Sequence, residues 1–137
     1  TDPARLLQES AEAVSPERIV VRSQAAPSSW RMDPARMQQV LTNVLRNAVQ
    51  MSPLGESVEA RVFADNGQLV YEVRDSGPGI PAGEEERIFE PFYTRKTRGT
   101  GLGLSLAQRI VGQHRGTITA QNHPAGGAVF RVALGKL

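Results

Sequence analysis

The chain has 137 residues, enough for one domain with a real hydrophobic core. Its 16 Lys and Arg against 14 Asp and Glu leave a formal charge of +2, too slight a bias to argue for nucleic acid or a membrane surface. There is no cysteine, which excludes disulfides and thiolate metal sites, and no apolar run approaches the roughly 20 residues that span a bilayer. The start at Thr1-Asp2-Pro3 carries no charged-then-apolar leader, and the chain reads as part of something longer.

Asp2-Pro3 is a helix-start signal, a capping carboxylate followed by Pro at the first helical position. Leu6, Leu7, Ala11 and Val14 then supply an apolar stripe that ends before Pro16. Residues 18–23 are short and β-branched and predict a strand. Trp30-Arg31-Met32 is expected to form a second short strand. Asp33-Pro34 repeats the helix start. Met37, Val40, Leu41, Val44, Leu45, Ala48 and Val49 recur behind it at helical spacing, so the longest helix should run to about Met51-Ser52-Pro53. Two alternating runs, 57–64 and 68–74, flank Asp65-Asn66-Gly67, a strong hairpin signal. Another amphipathic helix carries Leu104, Ala107, Ile110 and Val111 and closes near His114-Arg115-Gly116. A last strand pair, 117–121 and 128–134, is joined by residues 122–127. Helices interleaved with hairpins predict an α+β fold, a two-layer α/β sandwich with a mixed sheet.

The stretch 75–104 does not suit a packed core. It opens with an acid among glycines, Asp75-Ser76-Gly77-Pro78-Gly79, and closes with Gly99, Gly101 and Gly103 leading into a helix. Phe89, Phe92, Tyr93 and the cations Arg95, Lys96 and Arg98 lie between. Glycine lets a ligand approach the main chain closely, and the free N–H groups of a glycine-rich helix start attract anions. Asp75 is either a turn acid or the acceptor for an exocyclic amine such as that of adenine. The closing glycines match neither a Walker nor a full Rossmann pattern, and a phosphate-cradling helix entrance fits them best. The three cations are then placed as clamps on a polyphosphate, and Phe89 and Phe92 as anchors of a lid.

Asn43 and Asn47, four apart, project from one helix face. They are either a solvated helix edge or a polar pair at a site, where Asn47 would lend its carbonyl oxygen to Mg²⁺. His114 and His123 have no partner at metal-ligand spacing and read as structural or surface groups.

With these pieces in order, the chain resembles the catalytic ATP-binding domain of sensor histidine kinases. That domain belongs to the GHKL superfamily shared with Hsp90 chaperones, DNA gyrase and the mismatch-repair protein MutL. QQVLTNVLRNAVQ is similar to its N box, DSGPGI to the G1 box, IFEPFYTRK to the F box and GTGLGLSLAQRIVGQHRGTI to the G2 box and its helix. PFYTRK ahead of GTGLGL is most like the nitrogen-regulation and dicarboxylate-sensor type.

The resemblance implies a Bergerat fold: a mostly antiparallel mixed sheet covered on one face by about three helices, in a single domain 1–137 with an ATP lid at about 84–100. It implies Mg²⁺ on Asn47, and catalytic roles for Asn43, Asn47 and Lys96. It implies nucleotide contacts from Asn47, Gln50, Asp75, Gly77, Gly79, Ile80, Phe92, Thr94, Lys96, Arg98, Gly99, Thr100, Gly101, Leu102, Gly103 and Leu104. The reaction expected is transfer of the γ-phosphate of ATP to a histidine on a separate dimerisation domain. A response regulator would act downstream, nucleic acid would play no part, and the isolated domain would be a monomer. A cytoplasmic place is expected, with anchoring of the parent in an inner membrane left open.

Two positions depart from the family pattern. Gln50 stands where many members carry a basic residue, and Ala128 where a Thr near adenine is common. Three other functions compete. A self-contained ATPase would carry a water-activating Glu where Asn43 stands, and an amide is no carboxylate base. An anti-sigma-factor serine kinase shares the N, G1 and G2 boxes but not the long F box. A nucleotide-sensing interaction module would tolerate Gln50 and Ala128.

Overall fold

The computed structural model describes residues 1–93 and 103–135. Helix α1 spans Pro3–Val14, and Asp2 caps it by accepting the N–H groups of Ala4 and Arg5 on Oδ1, both at 3.1 Å. The same device starts α2, Pro34–Met51, where Asp33 Oδ1 accepts the Arg36 N–H at 3.1 Å. Each cap satisfies donors that the first helical turn leaves free. Strand β1 is Ile19–Arg22, β2 is Val58–Asp65 and β3 is Gln68–Arg74. A short 3₁₀ turn, Arg87–Phe89, precedes α3 at Gly103–Gln113, then β4 at Gly116–Asn122 and β5 at Ala128–Leu134.

The β2–β3 connection is the two-residue loop Asn66-Gly67, with φ +51° and +77°. Positive φ at both positions is the twist-compatible hairpin turn. The five strands lie in the order β1-β2-β3-β5-β4, with β1 parallel to β2 and every other pair antiparallel. Parallel neighbours need a long crossover, and α2 supplies it.

Three helices cover one face of the sheet, with α2 packed between α1 and α3. Met37, Val40, Leu41 and Leu45 of α2 are fully buried against Val58, Ala60 and Val62 of β2 and the apolar side of β3 and β5. Tyr71 reaches from β3 to the start of α1, donating its hydroxyl to Pro3 O at 2.9 Å. Burial, with the charge of Asp2 nearby, pushes its phenol up from the ordinary value, so it stays a neutral donor. The opposite face of the sheet is polar. There Glu72 receives the guanidinium groups of Arg61 and Arg131, and both stack over the ring of Phe63.

Residues 30–32 belong to none of these strands, against the expectation from sequence. Trp30 instead exchanges hydrogen bonds with Thr1, at 2.8 and 3.2 Å, and its indole N–H donates to Gly135 O at 3.3 Å. Asp33 starts α2 immediately afterwards, and the sheet edges are held by β1 and β4. A three-residue run without a neighbouring ladder cannot propagate as a strand.

One arginine ties β1 to the end of α2. The guanidinium of Arg18 donates to the carbonyls of Val49, Ser52, Pro53 and Glu56 at 2.9 to 3.4 Å. It thereby satisfies carbonyls the last helical turn leaves open and places a cation at the negative end of the helix dipole. Arg18→Ala is expected to lower unfolding free energy by about 2 kcal/mol, the scale of hydrogen bonds made by a charged donor. A urea melt checks it, and an unchanged midpoint would show the cluster to be idle.

Candidate nucleotide site

Helix α2 carries the first group of site residues. Its apolar stripe faces the core, and Asn47 falls at the edge of that stripe, only 6% exposed. Its Oδ1 is buried and, among the described residues, has no hydrogen-bond partner. Such an orphan acceptor costs about 1–3 kcal/mol and is rare in native interiors. One turn earlier, Asn43 donates from Nδ2 to Gly103 O at 3.2 Å, which draws the first residue of α3 against α2. Gln50, one turn later, is exposed.

Asp75 follows β3 directly and is 3% exposed. Its backbone N–H donates to Ala128 O at 3.0 Å, extending the sheet by one bond. Its Oδ1 accepts the N–H groups of Gly77 and Ala128, each at 3.0 Å. Among the described residues no donor reaches Oδ2. The carboxylate is therefore oriented through one oxygen and leaves the other as an acceptor.

The loop after Asp75 rests on the end of α2. Ser52 Oγ accepts the Ser76 N–H at 2.9 Å and donates to Ala48 O at 2.8 Å. A Cβ at Gly77 would lie 2.5 Å from Met51 O, so the approach requires glycine. Gly79, at φ +86°, meets the side chain of Asn122, and Ile80 beside it is buried. Ser52 and Asn122 were not singled out from sequence. Ser52 had a weak signal, a small polar residue closing an apolar helix; Asn122 at a strand end had none.

Beyond the loop, Phe89 is buried and meets Phe130 edge-on, with centroids 6.2 Å apart. Phe92, expected as a second anchor, is instead 75% exposed. Its φ of +68° turns it out of the chain path, and Tyr93 is seated in its place. The Tyr93 hydroxyl donates to Glu84 at 2.9 Å, and Arg87 lies over its ring at 5.7 Å. Gly103 begins α3 and Leu104 packs at the edge of the core. Thr94, Arg95, Lys96, Arg98, Gly99, Thr100, Gly101 and Leu102 lie outside the described residues.

A recess of about 540 Å³ is lined by Gln39, Asn43, Pro91, Gly103, Ser105, Leu106 and Arg109. A smaller one, about 300 Å³, borders Asp75, Ser76, Gly77, Gly126 and Gly127. Among the described residues no group of three or more His, Cys, Asp or Glu could hold a metal ion. The residues present fit Mg²⁺ all the same: a buried amide oxygen without a partner among the described residues suits an ion that takes one or two protein oxygens and completes its shell with phosphate and water. His114 is structural. Its Nε2 accepts the Asp33 N–H at 3.2 Å while Nδ1 faces Ile110 O at 2.9 Å, which links α3 to the cap of α2. His123 accepts the N–H of Ala125, two residues on. Among the described residues no helix is long and apolar enough to cross a membrane.

The profile of the family described as histidine kinase-, DNA gyrase B- and HSP90-like ATPase matches residues 32–136. Sporulation kinase A of Bacillus subtilis (strain 168) is 38% identical over 104 residues, which cover 76% of this chain and 17% of that protein. The chain thus spans about a sixth of the length of that relative. Among solved structures, a mycobacterial sensor histidine kinase, MprB, superposes with a TM-score of 0.87 at 30% identity, covering 98% of this chain and 94% of the other. Full-length ShkA in complex with AMPPNP superposes with a TM-score of 0.87 at 29% identity, over 98% of this chain and 30% of that one. The helix layer over a five-stranded mixed sheet and these matches agree: the chain belongs to the histidine kinase-, DNA gyrase B- and HSP90-like ATPase family and is homologous to the catalytic domains of sensor histidine kinases.

Proposed function

We propose that this chain binds Mg-ATP and donates its γ-phosphate to a histidine on a separate dimerisation domain, as the catalytic part of a two-component sensor histidine kinase. The observation that carries the reading is the buried, unpartnered Oδ1 of Asn47, a destabilising feature unless a ligand completes it. Asp75 Oδ2 accepts the exocyclic amine of adenine, and Ile80 with the Gly77–Gly79 backbone forms the wall beside the base. Asn47 would hold Mg²⁺, which when bound would supply charge neutralisation at the polyphosphate. Asn43 keeps the start of α3 in place, so that the positive end of that helix faces the phosphates. Lys96 and Arg98 supply cations for the polyphosphate, and Gln50 contributes a neutral contact.

The chain is a single domain with its lid at about 84–100, and a response regulator receives the phosphate in turn. The parent works in the cytoplasm, whether or not it is anchored, and the isolated domain is a monomer. A water-activating role for the residue at position 43 is disfavoured, because the Asn43 amide has no basic group and is engaged with Gly103.

The test mixes the chain with Mg-ATP and a separately made dimerisation domain from a histidine kinase of this type. Acid-labile phosphohistidine on the dimerisation domain is expected, with little turnover by the chain alone. Rapid ATP hydrolysis without the second domain, and no labelled histidine with it, would replace the kinase reading by that of a self-contained ATPase.

A further inference from the structure

We infer that Asn122, the last residue of β4, is a positioning residue that sets the preference of the site for adenine over guanine. The inference rests on the reading of Asp75 as the acceptor for the base. The Asn122 carboxamide accepts the Ile80 N–H on Oδ1 at 2.6 Å and donates from Nδ2 to the Ile80 carbonyl at 3.0 Å. A side chain thus does for Ile80 what a neighbouring strand would do, meeting both of its main-chain groups. The two bonds also settle which way the amide points, since only one orientation offers both a donor and an acceptor.

Asn122 pairs across the ladder with Ala128. Ala128 in turn holds Asp75 twice, by its N–H to Oδ1 and by its carbonyl to the Asp75 N–H, both at 3.0 Å. One rung of the β4–β5 hairpin therefore grips both ends of the six-residue loop 75–80. Between those ends Gly79 lies against the amide, where a Cβ would come 2.6 Å from Asn122 Oδ1. The loop also supplies the Gly77 N–H that orients the Asp75 carboxylate. Ser52 and Ala128 keep the Asp75 end of the arch in place, so loss of Asn122 loosens the Gly77–Ile80 side, which carries the Gly77 N–H that orients the carboxylate.

The chemistry of discrimination follows. Adenine offers an amine donor at C6, whereas guanine offers at C6 a carbonyl that a carboxylate repels. That contrast is sharp only while the acceptor is held still. Aspartate at 122 would keep the acceptor but lose the donor and set a charge against the Ile80 carbonyl. Alanine would leave both Ile80 groups without the partner that Asn122 supplies.

The experiment displaces a fluorescent ADP analogue from the full chain with ADP or with GDP, and records thermal midpoints alongside. The proteins are the unaltered chain, Asn122→Asp, Asn122→Ala, the milder Asn122→Ser, and Ile118→Val, which lowers stability from the same strand without touching the loop. The Asn122 variants are expected to lose affinity for ADP by about fivefold or more, with less change for GDP, so that the ratio between them narrows. Asn122→Ser should fall between, and Ile118→Val should keep the original ratio at a lower midpoint. An unchanged ratio in the Asn122 variants, or equal narrowing in Ile118→Val, would overturn the inference. Should the unaltered chain bind neither nucleotide, the nucleotide reading itself fails, and the inference falls with it.

Discussion

Asp75→Asn is expected to weaken ADP binding by about tenfold to a hundredfold while leaving the fold nearly intact. The substitution is chosen because Asp75 has two jobs on two oxygens. Oδ1 accepts the N–H groups of Gly77 and Ala128, and an asparagine carbonyl can still do that. Those two donors also fix the amide orientation, which puts the NH₂ where the open oxygen was. That group faces the amine of the base as donor to donor. A hydrogen bond to a charged acceptor, worth about 1.5–3 kcal/mol, is lost. Asp75→Ala is the poorer experiment. It strands two backbone donors in a site 3% exposed, and the resulting instability would blur the loss of binding. Titration calorimetry with ADP, beside a thermal melt, separates the two effects. Equal affinity in Asp75→Asn and the unaltered chain would remove Asp75 from the base.

Asn47→Leu is expected to move stability and activity in opposite directions. The unpartnered Oδ1 is a cost to the folded state, and an apolar side chain of similar size removes it while adding buried hydrocarbon. We expect the unfolding free energy to rise by about 1 kcal/mol, read from a denaturant melt. Phosphotransfer should meanwhile fall by about a hundredfold or more, the scale of removing one preorganised group from a reacting charge. The Mg²⁺-dependent part of ATP affinity should vanish with it. A residue kept at a stability cost is the signature of function. A destabilised Asn47→Leu that still transfers phosphate would mark Asn47 as ordinary packing.

Both substitutions probe groups whose residue type was legible early, though for different reasons. Asp33-Pro34, the apolar spacing from Met37 to Val49, and Asn66-Gly67 announce their structures because caps, helix faces and two-residue turns are decided within a few residues of chain. Asn43 and Asn47 stood out against that spacing as polar intrusions. The failures have a common origin. Trp30 to Met32 had strand-like residues but no strand to pair with, and Phe92, expected as a lid anchor, occupies a positive-φ turn that points it outward. In each case local preference was overruled by what lay beside it in space.

Taken by itself, the order of residues determined the helices, the hairpins, the family and which groups are proposed to meet a nucleotide. Only the folded molecule decided which of those groups are held, and by what. The holding contacts join positions far apart in the chain: Arg18 to the end of α2, Ser52 to Ser76, Asn122 to Ile80, Ala128 to Asp75. A side chain in a short-range motif carries its role in its neighbours' spacing. A hydrogen bond across 24 to 53 residues leaves no such trace, because its geometry exists only after the sheet and helices have packed.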